Sequence, residues 1–205
     1  MIFITIFVLI ERERYGDIME TYYRKAKSRG KYVKKIVDDY SVLDLETTGL
    51  SWQRDQIIEI GIIKVRNQKI VDKYEQLLDP QREISHFITQ LTGIDNNMVF
   101  GMPTLYDIMD EVIRFIDDDI IIGHNTAFDL SFIANHFGWN IENEYMDTLQ
   151  FSRKVYPQMK HHRLTDMVEF LNLTNNEHRS LADCRATYEL YEHLKSIIIQ
   201  NQIKL

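Results

Sequence analysis

The sequence predicts an α/β domain built on a five-stranded sheet, mixed in direction and covered by helices. Three observations support this. Short apolar runs rich in β-branched residues recur between turn residues, a two-residue polar link joins two of them, and segments with helical apolar spacing follow. With 205 residues and 44% apolar composition, the chain suits one globular domain with an extension and can fill a sizeable core.

Strands are expected at Tyr40 to Glu46, Gln56 to Arg66 and Lys69 to Leu78. The link Asn67-Gln68 makes the last two a hairpin, so this half of the sheet is antiparallel. Ile84 to Leu91 reads as a short helix ending at Thr92-Gly93. Pro103 then introduces a helix whose Leu105, Ile108, Met109, Val112 and Ile116 share one face, which should lie on the sheet. Ile120 to His124 is an apolar run typical of a central strand buried on both faces. The chain next turns into a helix that carries Asp129 in or near its first turn. Tyr145 to Thr148 closes a fifth strand, with Asp147 capping the helix after it. Leu164, Met167, Val168 and Leu171 mark one more helical face, and Cys184, Tyr188, Tyr191 and Leu194 mark the inward side of a long last helix.

The division expected is an N-terminal extension over residues 1–38 and a main domain over residues 39–205. Met1 to Ile10 is too short to span a membrane unaided and lacks the basic start and small-residue cleavage pattern of a signal peptide. A packed strand or interface segment is expected there, with peripheral membrane contact as the alternative. Thr21 to Lys35 holds seven Lys or Arg residues among Tyr22, Tyr23 and Tyr32. Such a basic helical segment, interrupted at Gly30, suits either phosphate contact with base stacking or a solvated helix face. The net charge of -7 argues against a generic polyanion-coating protein, although local basic patches and bound metals can reverse the field at a site. One cysteine, Cys184, excludes an internal disulfide and suits a cytoplasmic setting, where it should be a packing residue.

The stretch Val42 to Leu50 carries the chemistry. Strand alternation sends Asp44 and Glu46 to one side and Leu43 and Leu45 to the other. Two carboxylates this close repel each other, so in a buried setting they need a cation or a proton. Either they form a metal site, or they are the exposed face of an edge strand. Asp129 stands at a strand's C-terminal edge, where α/β sheets collect ligands, yet an acid at a helix N-terminus is also explained by the helix dipole. His178 precedes the last helix, with Asp183 five residues on, in its first turn. His161 and His162 have no partner at metal-ligand spacing.

Three segments in order, Asp44-Leu45-Glu46-Thr47-Thr48-Gly49-Leu50, His124-Asn125 through Phe128-Asp129, and His178 with Asp183, resemble the DEDDh 3′-5′ exonucleases, the family of the proofreading epsilon subunit of bacterial DNA polymerase III. The resemblance extends over most of residues 40–195. It implies an RNase H-like fold with a mixed five-stranded sheet and helices on both faces. It also implies that Asp44, Glu46, Asp129 and Asp183 hold two divalent cations, with His178 as general base. Independently, an all-oxygen acidic donor set suits Mg²⁺ or Mn²⁺. By the same resemblance, Thr47 and the backbone near Thr48 meet the terminal sugar, Leu50 and Phe128 wedge or stack on the last bases, His124 and Asn125 position phosphate, and Thr92 lies in a loop beside the terminal nucleotide. For each, and above all for Leu50 and Phe128, packing or turn chemistry is the alternative. The expected substrate is a single-stranded or frayed DNA 3′ end. RNA 3′ ends are the alternative, and a noncatalytic nucleic-acid-binding or polymerase-accessory module is a second one. A polymerase or sliding clamp is the expected partner, the latter from the likeness of Gln202-Ile203-Lys204-Leu205 to a clamp-binding peptide.

Overall fold

The computed structural model describes residues 29–137, 141–174 and 178–205. The apolar start Met1 to Ile10 and the basic segment up to Ser28 lie outside the described residues. Six strands form the sheet: β1 (Arg29–Tyr32), β2 (Tyr40–Thr47), β3 (Ile57–Arg66), β4 (Lys69–Leu77), β5 (Ile121–Gly123) and β6 (Ile141–Asp147). The described helices are α1 (His86–Thr92), α2 (Asn96–Val99), α3 (Leu105–Ile116), α4 (Thr126–Phe137), α5 (Thr148–Val155), α6 (Leu164–Leu171) and α7 (Ser180–Gln200). Strand order is β1-β6-β5-β2-β3-β4. The pairs among β1, β6, β5 and β2 are parallel, and those of β2 with β3 and β3 with β4 are antiparallel.

The expected mixed α/β architecture is present, with one strand more than expected. Arg29 to Tyr32, read from sequence as part of a basic helical segment, instead forms an edge strand on β6. Gly30, taken as a helix interruption, has φ 84° and marks a shift of register between Arg29 and Lys31. Lys31 and Lys35 both reach Glu144, at 3.1 and 2.5 Å. Pairing across the sheet outweighs local helical preference here, and the cationic side chains suit an exposed edge.

Period-two alternation sorts side chains between two cores. Leu43, Leu45, Ile60 and Ile62 pack with α3 and α4 on one face. Tyr40, Val42, Ile63, Val65 and Ile122 pack on the other with Phe151, Met167 and the Leu190, Tyr191 and Leu194 side of α7. The β3-β4 turn uses Asn67 and Gln68 with positive φ at both, the conformation a two-residue hairpin requires. Ile203 and Leu205, the apolar pair of the clamp-like tail, pack against the α7-side core. Among the described residues, no helix is long and apolar enough to cross a membrane.

Candidate active site

On the α7 side of β2 the buried residues Tyr40 and Val42 are followed, two and four residues on, by Asp44 and Glu46. An apolar column thus changes to carboxylates as the strand reaches its C-terminal end. Across the ladder Asp44 faces Gly61 and Glu46 faces Glu59. Gly61 has a packing role: a Cβ there would lie 2.6 Å from the backbone carbon of Ser180 and 2.8 Å from the Leu181 nitrogen. Its missing side chain lets the first turn of α7 settle on the strand beside Asp44. The Cys184 thiol then reaches the Gly61 carbonyl at 3.2 Å, and burial raises its pKa well above the ordinary thiol value, so it is a packing residue.

The start of α7 is held from below by Glu59, a fully buried acid. Arg179 donates from Nε to Glu59 at 3.0 Å and from its terminal nitrogen as well, while the Ser180 backbone N–H donates to the second oxygen at 2.9 Å. A fully buried carboxylate is costly unless paired and hydrogen-bonded, and here it is both. The result is a fixed approach for His178, which sits at φ 50° immediately before Arg179, and for Asp183 in the first turn. The His178 backbone lies near enough to Asp183 to oppose part of the rise in its pKa.

Asp44, Glu46 and Asp183 each offer an oxygen within 4.8 Å of the others. Asp129, buried in the first turn of α4, lies outside that closest trio but near enough to Asp44 for its charge to raise the Asp44 pKa. Burial, and then the neighbouring carboxylates, push Asp44 well above its ordinary value. Burial followed by the charges of Asp183, Glu59 and Asp129 raises Glu46 to about 8, against the opposing pull of Arg179. Burial raises Asp129 to about 8, although backbone hydrogen bonds from its own residue and Leu45 resist the shift. Asp183 rises to about 7 through burial and the charge of Glu59.

This donor set fits a divalent cation. The Asp183 Oδ1 is buried without a hydrogen-bond partner, a state that costs free energy until something positive meets it. The nearby guanidinium of Arg179 is already committed to Glu59. Asp44, Glu46 and Asp183, with Asp129 close by, are the residues that could hold a divalent cation, and their donors are all oxygen.

The other residues singled out from sequence divide into two groups. Leu50 is 85% exposed at the tip of the loop after β2, and Asn125 is exposed with φ 74°. Thr47, by contrast, is buried and donates to the Gly49 carbonyl at 2.7 Å, and the Thr48 hydroxyl accepts from the Gln56 N–H at 3.0 Å. Phe128 packs on Phe132 at 4.9 Å between ring centres. Thr92 is buried, donates to the Ile88 carbonyl at 3.0 Å and accepts from the Ile94 N–H at 3.1 Å, so its side chain closes α1. His124 is a strut: its Nε2 lies 2.7 Å from the His162 carbonyl and its Nδ1 2.9 Å from the Thr148 hydroxyl. A carbonyl can only accept, so Nε2 carries the proton, while Nδ1 stands against the Thr148 hydroxyl, which itself donates to the Gly123 carbonyl at 3.0 Å. Burial lowers the His124 pKa to about 4, which keeps the ring neutral. Asp147 caps α5 through the Leu149 N–H and also accepts from the Asn125 N–H at 2.9 Å. Sequence reasoning missed Glu59, Gly61 and Arg179; the available signal was an acid standing inside the apolar run Ile57 to Ile63.

An RNase H-like sheet whose central strand carries a carboxylate cluster defines an α/β nuclease domain. The chain belongs to the exonuclease family, whose model, of the RNase T type, matches residues 41–191. The DNA polymerase III PolC-type protein of Caldanaerobacter subterraneus subsp. tengcongensis is 41% identical over 157 residues, covering 75% of this chain and 11% of that protein. Its Bacillus subtilis counterpart is 36% identical over 165 residues, covering 77% of this chain and 12% of that protein. The chain thus spans about a tenth of the length of these relatives. Among solved structures, Exonuclease X in complex with 5′ overhanging duplex DNA superposes with a TM-score of 0.63 at 25% identity, covering 80% of this chain and 94% of that one.

Proposed function

We propose that this domain is a metal-dependent 3′-5′ exonuclease that releases nucleoside 5′-monophosphates from single-stranded or frayed DNA 3′ ends. The carrying observation is the trio Asp44, Glu46 and Asp183, with an unpartnered buried oxygen on Asp183 and His178 five residues ahead of it. Asp44, Glu46, Asp129 and Asp183 would hold two divalent cations, Mg²⁺ or Mn²⁺. Such cations, when bound, lower the pKa of water and stabilise charge on the attacking and leaving oxygens.

The residues of the chain supply the rest. His178 takes a proton from the attacking water, the general-base role that histidine fills most often. The water oxygen bonds to phosphorus, the bond to the preceding nucleotide's 3′-oxygen breaks, and a 3′-hydroxyl is regenerated on the shortened strand. The exposed Leu50 would wedge against the last bases, and Phe128 would stack in a like role. Thr47 and Thr48 shape the loop that meets the terminal sugar, Asn125 presents its backbone bend to phosphate, and Thr92 and His124 act from beneath by fixing neighbouring segments. DNA is favoured over RNA because the relatives named above are DNA polymerases, and that relationship supports a polymerase as the working partner.

His178→Ala should lower turnover on a labelled oligodeoxynucleotide by about 10²- to 10⁴-fold while Mn²⁺ still raises the thermal midpoint. Near-normal activity in that variant would remove His178 from the chemistry. Matched DNA and RNA 3′ ends in one competition assay, with products resolved as nucleotides, should show DNA consumed first. Faster loss of the RNA strand would reverse the substrate assignment. Binding of both without metal-dependent hydrolysis would instead indicate a noncatalytic module.

A further inference from the structure

Between β5 and the loop joining α5 to α6 lies a cleft of about 360 Å³. Its walls include Asn125, Arg153, Lys160, His161 and Arg163, with His124 and His162 among the lining residues. In a chain with net charge -7, residues 153–163 hold four Lys or Arg and two His with no acid. Their charges are not equally available. Arg163 is held by Asp166 through Nε at 2.9 Å and a terminal nitrogen at 2.8 Å, which lowers the Asp166 pKa to about 2. Arg153 and Lys160 are exposed and, among the described residues, make no ion pair within 4.0 Å, although the charge of Arg153 also reaches Asp147. The charge of Arg153 is nonetheless felt inside the fold, where it helps to lower His124 after the larger effect of burial.

The cleft is tied to the candidate active site by covalent and hydrogen-bonded links. Its Asn125 wall is four residues before Asp129, about one helical turn. The His124 strut fixes the far wall by donating to the carbonyl of His162, whose own ring contacts the Tyr156 carbonyl at 2.9 Å. A polar, cation-lined cavity held at one end by the segment that carries a site carboxylate suits one ligand class well. We infer that it binds a phosphate of the nucleic-acid strand, internal to the 3′ end being removed, with Arg153 and Lys160 as the charge-bearing contacts. This assignment rests on the exonuclease reading above, and it adds a point of grip on the strand away from the carboxylates.

The test uses the full chain. Binding of a fluorescent ten-nucleotide single strand is followed by anisotropy against salt, in an Asp44→Asn background so that no hydrolysis intervenes. Arg153→Ala/Lys160→Ala should weaken binding by on the order of tenfold and reduce the salt slope by roughly one unit or more, as loss of one or two phosphate contacts requires. Lys69→Ala/Lys73→Ala, which removes the same charge from the opposite edge of the sheet, should leave both quantities near their starting values. In the active protein, the ratio of kcat/KM for the ten-nucleotide strand to that for the p-nitrophenyl ester of thymidine 5′-monophosphate should fall about tenfold in the first double variant. Equal losses in the two double variants would mean general electrostatics and overturn the cleft assignment, as would no loss in either. If the unaltered protein binds the strand with the predicted dependence on Arg153 and Lys160 but cleaves nothing, the cleft stands and the exonuclease reading falls.

Discussion

Replacing Asp44 by asparagine is expected to remove activity and, in the absence of metal, to stabilise the fold. On the proposed function, the first effect follows from loss of a carboxylate that would hold metal. Charge stabilisation by bound metal is worth several kcal/mol, so turnover should fall on the order of a thousand-fold or more. The second effect follows from the crowding of Asp44 with Asp129, Asp183 and Glu46, which together with burial raises its pKa. A carboxyl with a raised folded pKa keeps its proton after the unfolded chain has released its own. Between the two values the unfolded state binds fewer protons, and stability falls as pH rises. For this cluster the window runs from the ordinary carboxylate range near 4 up to about 7 for Asp183 and about 8 for Glu46 and Asp129. The metal-free protein should therefore have a lower thermal midpoint at pH 8 than at pH 5, and Asp44→Asn should flatten that decline. Mn²⁺ should recover the midpoint of the parent protein at pH 8 and do so far less for the variant. Calorimetry across pH with and without Mn²⁺ reads all of these at once. A parent midpoint that is flat or rising between pH 5 and 8 without metal would contradict the buried, repelling cluster.

Asp44 and Glu46 stand out locally in the sequence, but what grouped them with Asp129 and Asp183 was the resemblance of three ordered motifs to a known family, since an acid in the first turn of a helix is ordinary. Asp44 and Glu46 interrupt an apolar strand, and Asp129 and Asp183 each fall in the first turn of a helix whose start is marked by pattern alone. What holds the cluster was much less visible, since it depends on contacts between distant parts of the chain. Glu59 meets the Ser180 amide 121 residues away, and nothing near either residue announces the other. The edge strand β1 escaped for the same reason, its register on β6 being set more than a hundred residues later. Thr92 shows a third limit. The turn at Thr92-Gly93 was readable from composition, but whether the hydroxyl faces ligand or protein depends on backbone groups at Ile88 and Ile94, and it faces protein. Similarly His124 reads as a phosphate contact in a motif, whereas its two ring nitrogens are committed to Thr148 and His162.

Gly61→Ala tests the long-range part of the design with a single methyl group. The new Cβ would lie 2.6 Å from the Ser180 backbone carbon and 2.7 Å from its hydroxyl oxygen, closer than side-chain carbons approach backbone. Neither side can yield cheaply: β3 is paired on both edges, and Ser180 is tied by its amide to the buried Glu59. The first turn of α7 must lift away from β2, carrying Asp183 from Asp44 and Glu46 and moving His178 with it. A displacement near 1 Å at reacting groups can cost on the order of a hundred-fold, so kcat should fall by about that factor and the Mn²⁺ concentration needed for half-maximal activity should rise. The sheet and both cores should persist, giving an unchanged far-ultraviolet circular dichroism spectrum. Gly93→Ala is the matched comparison, because a Cβ there meets nothing within 4 Å and only the φ of 73° opposes it. It should cost about 1 kcal/mol in stability with little change in metal requirement. If Gly61→Ala retained full turnover at low Mn²⁺, the seating of α7 on β3 would not be what brings Asp183 to the strand.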